Sequence, residues 1–367
     1  MKFFNIIDYV KWRGDITLKE REFNAIDALV LNMVAFLNVD KVSPLFPSKK
    51  KITLEELINN YFSKENIDLN SLGLIIPNEI FELSVEVLKS NRYKNIKVSN
   101  YINEIEKTEI KQFSAIVFHL DKENIYVSYR GTDDSLVGWV EDFNMLAYYP
   151  IPSQKEASQY LSKISQMFKK ENIYIGGHSK GGNLAIYALL DAEENVKNRV
   201  IKTYSFDGPG FIKEYVDQEK FLSIQDKIEK IVPNSSIIGR IFSLNVYHKI
   251  VESNAKGLDQ HSPFTWNLIQ DQFVTCKGFT KYSSNIKVEV EKLIKSISEE
   301  ERKELVDDLG KYIDALKQSH LIEFLNYRNV FSLITNKYRM KRKNIRYVLK
   351  LYLILSRNKA LSFKSIK

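Results

Sequence analysis

A mostly parallel α/β sheet flanked by helices is the fold class that this 367-residue sequence predicts. The first observation is a strand-like run at 172–176 that passes through Gly177-His178-Ser179-Lys180-Gly181 into a helix-like run at 183–190. The second is that strand-like runs at 200–206 and 227–232 follow with helical stretches between them, the pattern of parallel crossover units. The third is length: a chain of this size buries one large α/β core with helical extensions. The expected organisation is a helical part over 1–110, a core over 111–285, and a helical C-terminal extension over 286–367.

Within the first part, Asn24 with Asp27 predicts a capped helix over 25–37, its apolar positions being Ile26, Leu29, Val30, Met33, Val34 and Leu37. Thr53 with Glu56 is a second capping box ahead of Leu54, Leu57, Ile58 and Tyr61. The first clear strands are 114–119 and 125–129, separated by the polar turn Asp121-Lys122-Glu123-Asn124. Ser153 with Glu156 suggests a third capping box, leading a helix whose Ala157, Tyr160, Leu161, Ile164, Met167 and Phe168 keep the 3.6-residue period. A further strand is expected within 245–252. From about 288 onward the pattern is helical, charged over 296–316 and apolar over 345–355 between basic flanks.

Charge is unevenly distributed. Residues 337–367 hold eleven Lys/Arg and no acid, so the formal +8 of the chain resides in this tail, while the remainder carries a small negative excess. Such a tail attracts an anionic membrane surface or an acidic partner; a solvated helical end is the plainer reading, and nucleic acid is not an expected partner. The single Cys276 rules out an intramolecular disulfide framework and a cysteine-rich zinc site. The N-terminal apolar run is broken by Asp8 and lacks a small-residue cleavage site, so no Sec signal is read there. No stretch reaches the ~18 apolar residues of a membrane span. A cytoplasmic location is expected, with export by a route other than Sec left open.

The chemistry centres on the turn. A serine between a strand and a helix is held in a strained backbone with its hydroxyl exposed, and needs glycines around it for close approach. To act as a nucleophile it needs a histidine base and a carboxylate that orients the histidine. His119 and His178 precede Ser179, and His320 lies in the late helical region. Of the remaining two, His261 sits in a loop-like segment and is favoured over His248, which alternates within a strand. For the acid, Asp207 follows the 200–206 run and would stand at the carboxyl edge of the sheet. Asp259 and Glu252 are the alternatives, and a turn-capping role for Asp207 is the plain one. Oxyanion donors are expected from the Lys180 N–H and from Thr132 in the loop Ser128–Asp134, where an Arg130–Asp133 pair can also stabilise the turn. Neither a cofactor nor a metal is required.

Tyr129-Arg130-Gly131-Thr132, then Trp139-Val140-Glu141-Asp142-Phe143, then Gly177-His178-Ser179-Lys180-Gly181-Gly182-Asn183 resemble the successive signatures of class 3 (fungal-type) lipases. More closely, Trp12-Arg13-Gly14-Asp15, Phe23-Asn24-Ala25-Ile26-Asp27, Ser205-Phe206-Asp207-Gly208-Pro209-Gly210-Phe211 and Gln260-His261 with Trp266 resemble the bacterial Mbeg-like family. The resemblance implies an α/β-hydrolase fold, Ser179 as nucleophile, an oxyanion hole at Thr132 and Lys180, and an acyl ester or lipid as substrate. One departure accompanies it. Class 3 lipases usually carry the acid in an Asp-x-Val-Pro-like loop, and the comparable run here, Ile231-Val232-Pro233-Asn234-Ser235-Ser236, has no carboxylate. Either Asp207 takes that role or the triad is incomplete, in which case the chain would be a hydrolase-like scaffold. The apolar stretch 145–152 reads equally as a lid or as core.

Overall fold

The computed structural model describes residues 4–63, 77–133, 135–242, 247–315 and 340–357. Asp134, His320 and the tail residues 337–339 and 358–367 lie outside the described residues.

Helices α1 (Ile6–Arg13), α2 (Ala25–Val34), α3 (Leu54–Phe62) and α4 (Glu79–Lys89) occupy the N-terminal part. Asn24 caps α2, accepting from the Ile26 and Asp27 N–H groups while Asp27 returns to the Asn24 N–H, and Thr53 and Glu56 form the same reciprocal box on α3. Strands β1 (Ile52–Thr53) and β2 (Lys97–Glu106) also lie here, so the N-terminal part is not purely helical. In β2 the pairing shifts register between Ser99 and Ile102, and the bulge interrupts the two-residue alternation by which a strand is recognised.

The sheet continues through β3 (Lys111–His119), β4 (Asn124–Tyr129), β5 (Asn172–His178), β6 (Val200–Phe206), β7 (Ile228–Pro233) and β8 (His248–Val251), in that spatial order. Neighbours from β1 to β4 run antiparallel and from β4 to β8 parallel. Side chains alternate across it. Phe113, Ala115 and Val117 of β3 join Ile125 and Val127 of β4 under α6 (Pro152–Met167), α7 (Lys180–Asp191) and α9 (Gln218–Ile224). Ile116, Phe118 and Tyr126 point the other way, into a core built with α1 to α4. The parallel half, the crossover helices and the strand–turn–helix at Ser179 make this an α/β-hydrolase fold. A short helix α8 (Glu194–Arg199) precedes β6, and a two-strand ribbon, β9 (Leu268–Ile269) and β10 (Gln272–Phe273), precedes the C-terminal extension.

Helix α6 starts earlier than the Ser153 reading predicts. Pro152 occupies its first turn with φ already set, and Gln154 reaches back to the Ile151 N–H at 2.9 Å; Ser153 lies within the first turn and its hydroxyl caps nothing. The stretch 145–152 is packed as core: Met145, Ala147 and Ile151 are buried, and Tyr149 stacks on Tyr215 and meets Tyr187 and Phe211 edge-on.

The C-terminal extension comprises α10 (Lys281–Lys295), α11 (Glu299–Ala315) and α12 (Arg342–Arg357). Leu309, Tyr312, Met340 and Ile345 pack on Leu136 and Val140 of α5 (Leu136–Asn144). A second cluster joins Ile286, Val290, Leu293, Leu305 and Ile354 to Ile237, in the loop after β7. Among the described residues no helix is long and apolar enough to cross a membrane.

Candidate active site

Strand β5 ends at His178, and Ser179 takes φ 58° and ψ −130°, a left-handed conformation that an L residue adopts only where its surroundings enforce it. The enforcement is visible. The Ser179 N–H donates to the Phe206 carbonyl (2.9 Å), and its carbonyl accepts from the Gly182 N–H (2.9 Å). A Cβ on Gly177 would stand 2.2 Å from the Gly181 carbonyl carbon, and one on Gly181 would stand 2.1 Å from the Tyr129 oxygen. Only glycines let β4, β5 and α7 meet this closely. Ser179 stays half-buried, while Lys180 and the residues that follow it are buried.

One strand along, the arrangement repeats. Asp207 follows β6 with φ 49°, and its N–H donates to the Ile231 carbonyl of β7 (2.8 Å). The turn places its carboxylate, which is 1% exposed, at the carboxyl edge of the sheet. Oδ2 accepts from His261 Nδ1 at 2.7 Å. Oδ1 accepts from the Ser236 hydroxyl at 2.5 Å and from the Gly239 N–H at 3.1 Å. The loop after β7, which lacks a carboxylate, thus supplies a hydroxyl and an amide to hold the carboxylate of the preceding strand. The hydrogen bonds to Oδ1 and Oδ2 occupy both oxygens of the carboxylate. They also exceed what a turn cap would need.

His261 ends the 3-10 turn Gly257–His261. Trp266 Nε1–H donates to the Gln260 carbonyl (2.8 Å), and His178 Nε2–H donates to the carbonyl of His261 itself (2.8 Å). The two imidazoles overlap with centroids 4.5 Å apart. Burial, reinforced by His261, drives the His178 pKa well below the ordinary imidazole value, so His178 is a neutral donor fixing the His261 backbone. The other candidates stand elsewhere. The Glu252 carboxylate accepts from Asn267 Nδ2, Asp259 is exposed in the turn, and His248 lies on β8 with burial lowering its pKa to about 4.

Thr132 and Lys180 flank the elbow from two sides. Thr132 Oγ1 donates to Asp142 Oδ2 at 2.7 Å, leaving its backbone N–H as the donor available to an oxyanion. Burial pushes the Asp142 carboxyl up to about 6, against the opposing pull of Lys180 and Thr132. The Lys180 side chain runs beneath the elbow, donating to Glu141 Oε2 and to the Gln112 carbonyl, both at 3.0 Å. Glu141 is itself fully buried and accepts from the Gln112 and Ser153 N–H groups, so α5, β3 and α7 are joined at one carboxylate. On the far side of α7, Asn183 accepts from Gln154 and donates to the Pro209 and Gly210 carbonyls, securing the turn after Asp207. Arg130 and Asp133 do form the expected ion pair, at 3.3 Å.

Sequence reasoning missed Ser236, Gly239, His178 and Glu141. For Ser236 and Gly239 the available signal is their place just after a parallel strand, at the edge where sites assemble. For His178 it is adjacency to the nucleophile. For Glu141 the available signal is its place in the Trp139–Phe143 signature, while its partners lie 12, 29 and 39 residues away.

Solved structures of similar fold include the Rhizomucor miehei lipase propeptide complex, 16% identical over 44% of this chain and 58% of that chain, with a TM-score of 0.34. They also include M37 lipase (14% identity, 59% and 70% covered, TM-score 0.35) and the Lip2 lipase from Yarrowia lipolytica (12%, 62% and 80%, 0.30). The match therefore spans less than two thirds of the Rhizomucor lipase. Comparison with curated proteins finds no match. The Mbeg1-like family profile matches residues 87–311, more than half of the chain and the whole interval from β2 through His261, and the chain belongs to the Mbeg1-like family.

Proposed function

We propose that this chain is a serine esterase that hydrolyses acyl esters of lipids through Ser179, His261 and Asp207. The observation that carries the reading is the 2.7 Å His261–Asp207 hydrogen bond, formed at the sheet edge where the Ser179 elbow stands. In this mechanism Ser179 Oγ attacks the ester carbonyl while His261 Nε2 takes its proton. Asp207 keeps the proton on Nδ1 and stabilises the imidazolium. The developing oxyanion accepts from the Thr132 and Lys180 backbone N–H groups. His261 then protonates the departing alcohol, and water, deprotonated by the same imidazole, releases the fatty acid from the acyl-enzyme. The resemblance to class 3 lipases is what favours a lipid acyl group over a small ester.

A catalytically silent scaffold draws its support from the carboxylate-free loop at 231–236. Asp207 beside His261, with Ser236 bonded to Asp207, makes a carboxylate in that loop unnecessary. A fluorophosphonate probe is expected to label the protein but not its Ser179→Ala variant, and hydrolysis of short- and long-chain acyl esters should be lost in that variant. Equal hydrolysis by both proteins would sink the mechanism, and an unlabelled Ser179 in folded protein would favour the scaffold.

A further inference from the structure

Helix α12 divides its basic residues into two sets. Lys341, just ahead of it, pairs with Glu304, and Lys343 pairs with Glu301, both on α11. Arg342, Arg346 and Lys350 are exposed, and among the described residues none of them forms an ion pair. At 100° per residue they fall within an arc of about 80°, and Leu353, 47% exposed, lies in the same arc. The rest of the helix surface, beginning at the edges of this arc, is occupied: Ile345 and Ile354 are buried, and Tyr347, Val348, Leu349 and Leu351 pack against the extension and α5. The outward stripe is thus three unpaired cations and one apolar side chain on a helix braced by the protein.

We propose that this stripe docks the protein on an anionic phospholipid bilayer. The three cations complement lipid phosphates and carboxylates, each contributing about fivefold to binding. Leu353 distinguishes a bilayer from a nucleic acid, since only the bilayer offers an apolar layer beside its charge. In the sequence beyond Arg357, Lys359, Lys364 and Lys367 alternate with Leu361, Phe363 and Ile366, the same pairing of charge and apolar groups. Helix α12 packs through Ile345 onto the cluster containing Leu136 and Val140 of α5, whose Asp142 holds Thr132, so the docking helix is braced on an element that also supports the candidate active site.

The test is co-sedimentation of the full chain with vesicles of phosphatidylcholine containing about one third phosphatidylserine, at roughly 0.15 M salt. Binding is expected to these vesicles and not to pure phosphatidylcholine. The triple variant Arg342→Gln/Arg346→Gln/Lys350→Gln should bind about a hundredfold more weakly, whereas Arg342→Lys/Arg346→Lys/Lys350→Arg, which keeps the charge, should bind as the parent does. Absence of binding by the parent, equal binding to both vesicle types, retention by the Gln variant within threefold, or preferential capture by duplex DNA would each overturn the proposal. Ser179→Ala is expected to bind vesicles normally, so docking and hydrolysis stand or fall separately.

Discussion

Replacing Gly239 by alanine tests whether Asp207 is the acid that orients His261. A Cβ at this position stands 2.2 Å from Asp207 Oδ1, 3.1 Å from Val232 Cγ1 and 3.2 Å from Asp207 Cα. The backbone there is the ordinary 3-10 turn Ile238–Arg240, so the methyl adds a collision and little else. An unbonded carbon and oxygen come no closer than about 3.2–3.5 Å, so the carboxylate must retreat by about 1 Å. Retreat stretches the Ser236 and Gly239 bonds to Oδ1 and, because the carboxylate is rigid, swings Oδ2 away from His261 Nδ1. Displacements of about 1 Å in a catalytic constellation cost on the order of a hundredfold in rate. The expected outcome in short-chain ester hydrolysis is a kcat about 100-fold lower with little change in KM, since the Gly239 N–H bonds to the Asp207 carboxylate and the Ser236 hydroxyl, away from any bound ester. Near-UV circular dichroism would establish that the variant is folded. A folded Gly239→Ala protein whose kcat stays within threefold of the parent would refute the assignment of Asp207.

Asp207→Asn should lower kcat by roughly 10⁴-fold by stabilising the wrong imidazole tautomer, while Asp259→Asn should leave it unchanged; ester hydrolysis by the two proteins compares the acids directly. Lys180→Met strands the buried Glu141 carboxylate and should cost about 3–5 kcal/mol in urea unfolding, part of it recovered in Lys180→Met/Glu141→Gln, which removes the charge and keeps an acceptor for the Gln112 and Ser153 N–H groups; a single variant as stable as the parent would contradict the ion pair. His248 has its pKa lowered from 6.5 to about 4, chiefly by burial, so on acidification the unfolded chain takes up the proton first. Its contribution to stability is whole above pH 6.5 and is lost as pH falls towards 4. His248→Gln should therefore flatten the pH dependence of stability over that window by up to about 1.4 kcal/mol per pH unit, read from urea midpoints, and an unaltered slope would contradict it.

What could be read in the sequence was local. The Asn24–Asp27 and Thr53–Glu56 boxes are contacts three residues apart, and the glycines around Ser179 announce a turn that only they permit. Asp207 was legible as the residue ending a parallel strand. The failures are of two kinds. Ser153 misled because Pro152 and Gln154 begin the helix more favourably than a serine cap one residue later. Strand β2 escaped because its bulge breaks the period. The remaining gaps are matters of sequence distance: Ser236 meets Asp207 across 29 residues and His178 meets His261 across 83, contacts that exist only once β5, β6 and β7 lie side by side.

The C-terminal extension has a practical consequence. Leu309, Met340 and Ile345 cover α5, and Ile354 belongs to the cluster that covers Ile237, next to Ser236. Cutting the chain before α12 would uncover apolar surface on both supports of the candidate site, beneath Thr132 and beside Asp207. Truncation is then expected to disturb the candidate site itself, and a shortened protein that fails in hydrolysis says nothing about membranes. Exchanging single outward charges, which leaves that packing intact, is the route by which the roles of the helix can be separated.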